Sequence, residues 1–119
     1  MNPAKDIYRP SLALLTDLYE LTMAYGYWKS GRAEDLAVFH LSFRSAPFRS
    51  GYTVFCGLSY IIDFLSSLKF EQTDLGYLRS LNGNDGSPLF DDEFIRYLSK
   101  LEFNLDIDAV EEGSVVFPH

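Results

Sequence analysis

Cysteine and histidine are scarce in this sequence, which contains 1 Cys and 2 His in 119 residues. A single thiol cannot form a disulfide within the chain, and it has no second cysteine with which to hold a metal. Cys56 lies in the apolar run 54–58. That setting predicts a buried and inert thiol, because reactive cysteines occupy electropositive, partly exposed surroundings.

Positive charge is also scarce, with 10 Lys and Arg against 17 Asp and Glu and a net charge of −7. Nucleic acids and anionic membranes are bound by clustered basic residues. No such cluster occurs, which excludes both as partners. No apolar run approaches the ~20 residues that cross a bilayer, and the first residues lack the apolar segment of a signal peptide. We therefore expect a cytoplasmic location.

Apolar residues are plentiful, at 47% hydrophobic and 16% aromatic, which excludes disorder for most of the chain. A chain of this length fits one hydrophobic core. We predict a single domain over 1–119, in which residues 1–10, with Pro3 and Pro10, form an extended lead-in.

Hydrophobic periodicity predicts an α+β fold, with helices packed on a small mixed or antiparallel sheet. Asp17 and Glu20 resemble a capping box at the start of the first helix, and Thr73 is the expected cap of the third. The turn-rich stretch 82–88 is the longest predicted loop. The predicted helices are 16–30, 58–68, 73–81 and one that starts near Asp91, and the predicted strands are 37–44, 52–55, 103–109 and 114–117.

The last predicted strand is followed only by Pro118 and His119. A natural domain can end in a strand. We favour the interpretation that the polypeptide is the first section of a longer protein.

Motifs that carry chemistry are few, since HExxH, CxxC, GxxxxGK[ST] and GxSxG are all missing. His40 has no orienting third group and is predicted to be a surface histidine of a strand, whereas the role of His119 stays open. The acidic pairs 91–92 and 111–112 are typical of helix-dipole complements or solvated faces. We therefore predict no metal site.

Two features stand above this background. Tyr19 lies in the first turn of a helix whose free N–H groups favour an anion, and its ring is offset from the apolar stripe and could stack on a planar ligand. Arg44 ends a predicted strand, with Arg49 nearby, and this arrangement suits bidentate phosphate recognition. The alternatives are that Tyr19 covers a neighbouring helix and that Arg44 is a solvated surface residue.

The segment 14–28, LLTDLYELTMAYGYW, resembles the amino-terminal signature of the nicotinate phosphoribosyltransferase family. Further blocks agree in order and spacing, at 37–44, 47–48, 51–58, 77–78, 94–98 and 112–118. The family makes nicotinate mononucleotide from nicotinate and phosphoribosyl pyrophosphate, with ATP hydrolysis coupled through a phosphorylated histidine. It combines an amino-terminal α/β domain with a barrel domain, and its members are dimers in which that domain reaches the neighbouring barrel.

The resemblance implies a role for several residues of this chain. Tyr19 matches the tyrosine that stacks on the nicotinate ring, and Asp17 lies beside this tyrosine in the same motif. Arg44 matches the arginine that reaches the phosphates of phosphoribosyl pyrophosphate. Arg49 is a further candidate for a phosphate contact. ATP and Mg²⁺ are implied for the complete enzyme.

The barrel, the phosphorylated histidine and the phosphate-binding loops are expected beyond position 119, and neither histidine of this chain matches the histidine motif. The chain alone is therefore predicted to be inactive, with no catalytic residue of its own and with a second copy or the barrel as its partner. The alternative is a catalytically inactive, free-standing module that uses the same fold for binding or oligomerisation.

Overall fold

A computed structural model describes residues 11–119, and the predicted lead-in at 1–10 lies outside the described residues. It contains helices α1 (Leu18–Lys29), α2 (Leu58–Ser66), α3 (Gln72–Ser80) and α4 (Asp92–Leu98), a 3-10 turn (Pro47–Arg49), and strands β1 (Thr53–Val54) and β2 (Val115–Val116). The predicted α+β class is thus confirmed.

The buried core lies among the helices. Its buried side chains come from α3, from α4 and from Phe90, which lies two residues before α4, and partly buried residues of α1 pack against them. The aromatic ring of Phe94 is 1% exposed and lies 5.0 Å from the ring of Tyr25 and 5.5 Å from that of Trp28, between centroids. The buried side chains are Leu75, Leu78, Phe90, Phe94, Ile95 and Leu98.

The N-cap of helix α3 lies two residues earlier than the sequence pattern predicts. Glu71, not Thr73, is the N-cap residue, and the backbone N–H of Glu71 donates to Asp74 Oδ2 at 2.8 Å. The carboxylate of Asp74 thereby satisfies a donor at the helix start. This bond explains why a charged side chain tolerates burial at the edge of the core.

The sheet has two short antiparallel strands, with Thr53 opposite Val116 and Val54 opposite Val115. The pairing continues beyond the strands, because Phe55 N–H donates to the Ser114 carbonyl at 2.9 Å and Phe55 O accepts from Gly113 N–H at 2.8 Å. The strands predicted at 52–55 and 114–117 are therefore confirmed, in shortened form.

Glu112 joins this sheet to helix α2. Its carboxylate accepts from the backbone N–H of Gly57 at 2.9 Å and of Leu58 at 2.6 Å. These N–H groups belong to the start of a helix, where they have no partner within the helix. Glu112 is thus a dipole complement, as the sequence predicts for this acidic pair.

The strands predicted at 37–44 and 103–109 are wrong, because neither segment forms a strand. Both segments are exposed along most of their length, including Phe39 at 89% and Leu41 at 94%. Apolar and polar residues alternate in both segments, but neither segment forms the ladder of hydrogen bonds to a neighbouring strand that a sheet requires.

Two further predictions are corrected. Cys56 is exposed, because the apolar run that contains it lies beside the small sheet, away from the buried core. The loop 82–88 does connect two helices, but it is not the longest irregular segment, since 99–114 has no helix or strand.

Phe94→Ala should lower the free energy of unfolding by about 3–5 kcal/mol, since it removes a fully buried ring from the core. The measurement is urea denaturation followed by circular dichroism. Phe39→Ala is the matched control, and it should change stability by no more than about 0.5 kcal/mol, because that ring is exposed. Equal losses in the two variants would contradict the location of the core.

Glu112→Ala should destabilise the fold by about 1 kcal/mol, as the loss of a helix cap does, and should speed hydrogen exchange at the amides of Gly57 and Leu58. The neighbouring carboxylate offers a control, because Glu111→Ala leaves the cap intact. Unchanged exchange at these two amides in the Glu112 variant would show that the cap does not form in solution.

Candidate functional site

Asp17 and Tyr19 lie at the start of α1. Asp17 is the N-cap residue, with extended backbone angles of φ −74 and ψ 145, and its side chain makes no capping hydrogen bond. The predicted capping box between Asp17 and Glu20 is therefore wrong. The link between these residues is the backbone bond from Glu20 N–H to the Asp17 carbonyl, at 3.1 Å. The Asp17 carboxylate is consequently not used in capping the helix.

Helix α1 has two apolar faces. Leu21, Tyr25 and Trp28 pack against the core. Tyr19 and Met23 lie one turn apart on the other face and are 57% and 47% exposed. Tyr19 is therefore not among the residues packed on the core, which argues against the alternative that it covers a neighbouring helix. Sequence reasoning missed Met23, although its i+4 spacing from Tyr19 places both on one face.

The phenol of Tyr19 remains neutral over a wide pH range. Hydrogen bonding with Glu20 is the main cause that raises the pKa of Tyr19, and the negative charges of Glu20 and Asp17 add to it. A nearby carboxylate disfavours the phenolate because the two negative charges repel each other. The helix start thus presents an uncharged aromatic ring.

A cluster at the other end holds α1 in place. Lys29 Nζ donates to Tyr25 Oη and to Asp91 Oδ2, both at 2.9 Å, and lies 5.1 Å from the centre of the Tyr25 ring. Asp91 is the N-cap residue of α4. The contact therefore ties the last turn of α1 to the first turn of α4.

Arg44 and Arg49 lie in a segment free of acidic residues. No Asp or Glu occurs from 36 to 62, and both arginines are exposed. Among residues 11–119, neither guanidinium is within ion-pairing distance of a carboxylate. Arg44 follows an exposed segment rather than a strand, and Arg49 closes the 3-10 turn with φ 58.

The predicted site residues are not all brought together. Within residues 11–119, no hydrogen bond or ion pair joins Asp17 or Tyr19 to either arginine. The structure does place His119 next to the Arg44 segment, since His119 N–H donates to the Phe43 carbonyl at 3.1 Å. His40 is exposed in the same segment.

Metal ligands and membrane spans can be assessed only for residues 11–119. That part of the chain has no group of three or more His, Cys, Asp or Glu side chains that could hold a metal ion. It also has no helix of the length and apolar character needed to traverse a membrane. The prediction that the chain binds no metal stays a prediction.

The fold and the candidate site together define an α+β domain with an exposed aromatic residue at the start of its first helix. Residues 14–119 match the family model described as the nicotinate phosphoribosyltransferase N-terminal domain. The chain belongs to the nicotinate phosphoribosyltransferase family, as the sequence resemblance predicts.

Three relatives show how far the similarity extends. The nicotinate phosphoribosyltransferase of Caenorhabditis elegans is 42% identical over 99% of this chain, that of Bacillus subtilis 42% over 90%, and that of Homo sapiens 41% over 88%. The matches cover 20%, 21% and 19% of those proteins. The chain thus spans about a fifth of the length of these curated relatives, all of which carry the name of an enzyme.

The Lys29–Asp91 contact predicts a stability change in acid. Hydrogen bonds from Tyr25 and Lys29 hold the pKa of Asp91 below its ordinary value. Its stabilising effect is therefore present above the unfolded-state pKa of about 3.9 and is lost as the pH falls through the lower folded-state pKa. Asp91→Asn should be less stable than wild type above about pH 5, and this gap should shrink below about pH 4.

The measurement is urea denaturation at a series of pH values. Asp108→Asn is the control, because it removes an exposed carboxylate that makes no ion pair among residues 11–119 and leaves the Lys29 contact intact, so it should keep the wild-type pH dependence. A stability gap for Asp91→Asn that stays constant to the lowest pH would contradict the assigned contact.

Proposed function

We propose that this chain supplies part of the substrate-binding surface of a nicotinate phosphoribosyltransferase. The reaction joins nicotinate to the phosphoribosyl group of phosphoribosyl pyrophosphate, with coupled ATP hydrolysis, and gives nicotinate mononucleotide for NAD biosynthesis. The observation that carries this proposal is the exposed ring of Tyr19, which lies on the α1 face opposite the core and within the segment that matches the family.

Tyr19 is the residue proposed to contact nicotinate. Its exposed ring offers a flat surface to the pyridine ring, and the raised pKa of Tyr19 keeps it neutral beside the negative nicotinate carboxylate. Asp17 carries a charge of the same sign as nicotinate, so we assign it to positioning the helix start beside the ring rather than to direct contact with the substrate carboxylate.

Arg44 and Arg49 are proposed to contact the phosphates of phosphoribosyl pyrophosphate. A guanidinium presents paired N–H donors that match two phosphate oxygens. The acid-free stretch from 36 to 62 supports this role, because local carboxylates would otherwise compete for the arginines in a chain of net charge −7. Arg44 is the better candidate, since it also matches the family pattern.

The catalytic groups are proposed to lie in the part of the protein that this chain does not cover. Residues 11–119 contain no group of three or more His, Cys, Asp or Glu side chains that could hold a metal ion, and no step through ATP or Mg²⁺ is assigned to them. We accordingly propose that the chain is inactive by itself, that it works against a barrel domain within a homodimer, and that the protein is cytoplasmic.

A second candidate is a catalytically inactive module that uses the same fold for binding or oligomerisation. The observation in its favour is the large apolar surface of residues 36–41, where Leu36, Phe39 and Leu41 are almost fully exposed. Surfaces of this kind mark sites of protein association. The two candidates differ in whether the chain can support the reaction when the rest of an enzyme is supplied.

The test is a chimera in which this chain replaces the matching 21% of the Bacillus subtilis relative. We expect it to form nicotinate mononucleotide. Tyr19→Ala should raise the KM for nicotinate about two- to ten-fold, the range expected for loss of one aromatic stacking contact. Tyr19→Phe should retain the wild-type KM, because stacking does not require the hydroxyl.

Two variants control this experiment. Tyr60→Ala removes an exposed ring from α2 and should leave both KM values unchanged, whereas Arg44→Gln should raise the KM for phosphoribosyl pyrophosphate and not that for nicotinate. A chimera with native circular dichroism and no product would favour the inactive module over the proposed enzyme part.

A further inference from the structure

Two exposed segments of the chain, 36–44 and 102–110, have the alternating side chains of a strand but no strand beside them. Within residues 11–119, no backbone N–H or C=O group of 36–42 or of 102–110 forms a backbone hydrogen bond. Free backbone groups beside alternating apolar side chains are the features by which one chain adds a strand to another. Both segments are therefore open to pairing.

The apolar side chains of the two segments match each other in one antiparallel register. When Leu41 lies opposite Leu105, Phe39 lies opposite Ile107, because residues that oppose each other across a ladder share one face of the sheet. Leu41 is 94% exposed and Phe39 89%, and their partners Leu105 and Ile107 are 55% and 50% exposed. Pairing in this register would cover four large apolar side chains that face solvent in the single chain.

The polar side chains match in the same register. The first segment has basic residues and no acidic one, and the second has acidic residues and no basic one. Arg44 lies opposite Glu102, and His40 lies opposite Asp106, whose carboxylate can accept from a ring N–H. Among residues 11–119, none of these four side chains forms an ion pair. The pairing therefore joins opposite charges, although each copy has a net charge of −7.

We propose that the segment 36–44 of one copy of the chain pairs antiparallel with the segment 102–110 of a second copy. The two segments of one copy are not paired with each other in the structure, so both are available to a partner. In a two-fold dimer each copy contributes both segments, and the same ladder forms twice. This inference goes beyond the proposed function, because it concerns the contact between two copies and does not depend on a catalytic role.

The experiment measures the dimer dissociation constant of the 119-residue chain by sedimentation equilibrium. Arg44→Glu and Glu102→Arg should each weaken self-association about ten-fold, because each change turns two attractive cross-strand pairs into repulsive ones. An equimolar mixture of the two variants should regain the wild-type affinity, since both ladders of the mixed dimer again join opposite charges. Mixing could not restore a pairing within one copy.

Leu41→Lys tests the apolar part of the ladder and should also weaken self-association about ten-fold, because it places a charge opposite Leu105 in both ladders. Ile62→Lys is the matched control, since Ile62 is an exposed apolar residue of α2, at 53%, and this variant should associate as wild type does. Circular dichroism shows whether each variant is folded. His40→Glu and Asp106→Arg provide a second pair of variants for mixing if either of the first two does not fold.

Several results would overturn the inference. They are a wild-type chain that stays monomeric at every concentration, a Glu102→Arg variant with wild-type affinity, and a mixture that associates no more tightly than its component variants. Equal weakening by Leu41→Lys and Ile62→Lys would also overturn it, because association would then be a general apolar effect. None of these results changes the KM for nicotinate expected of the chimera, so the proposed function stands or fails separately.

Discussion

Helix α1 depends on a small set of aromatic contacts made from one side. Tyr25 meets Phe90 and Phe94, with ring centroids 5.5 and 5.0 Å apart, and Trp28 meets Phe94 and Tyr97, at 5.5 and 6.2 Å. Aromatic pairs at these separations add to the gain from area burial alone. Since no residue of α1 is fully buried, these contacts set the rotation of the helix about its axis.

That rotation determines which side chains of α1 are exposed to solvent. Once Tyr25 and Trp28 face the core, residues at the spacing of Tyr19 and Met23 must face outward, because side chains four apart share a face. The exposed Tyr19 ring is therefore a consequence of the packing of other residues. The contact from Lys29 to Asp91 fixes the carboxyl-terminal end of α1 against α4. The orientation of the face that carries Tyr19 is therefore set by contacts elsewhere on the helix.

The helices were predicted well, because each one carries an apolar stripe, and the stripes of α3 and α4 are buried against each other. Leu75 and Leu78 show this in α3, as does Phe94 in α4. Prediction from the sequence failed for the N-cap of α3, because both Thr73 and Glu71 are acceptable residues at a helix start. In the structure, the backbone N–H of Glu71 donates to the Asp74 carboxylate. The choice between them depends on side-chain geometry that spacing does not contain.

The wrong strands have a different cause. Alternation at 37–44 and 103–109 indicates which residues share a face, but a strand also requires a neighbouring edge to receive its hydrogen bonds. Strand β1 finds such an edge in β2, more than fifty residues away in the chain, and Glu112 fixes that approach by capping α2. The exposure of Cys56 could not be predicted either, because burial of a side chain also depends on long-range packing.

The candidate site was predictable in its residue types and not in its arrangement. Tyr19 could be chosen because its position falls outside the apolar stripe, and Arg44 because cations are rare in this chain. Their separation and the approach of His119 to Phe43 are products of tertiary structure.

A helix that is apolar on two faces normally lies between two layers. Residues 11–119 provide one layer for α1, formed by α3 and α4. The face that carries Tyr19 and Met23 then has the composition of an interior surface, while Tyr19 also has a hydroxyl that needs a polar partner. An exposed aromatic surface of this kind suits one wall of a pocket for a planar ligand. Arg44 and Arg49, the proposed phosphate contacts, lie in a separate segment. These features support the proposal that the chain contributes part of a binding surface and not a complete catalytic site.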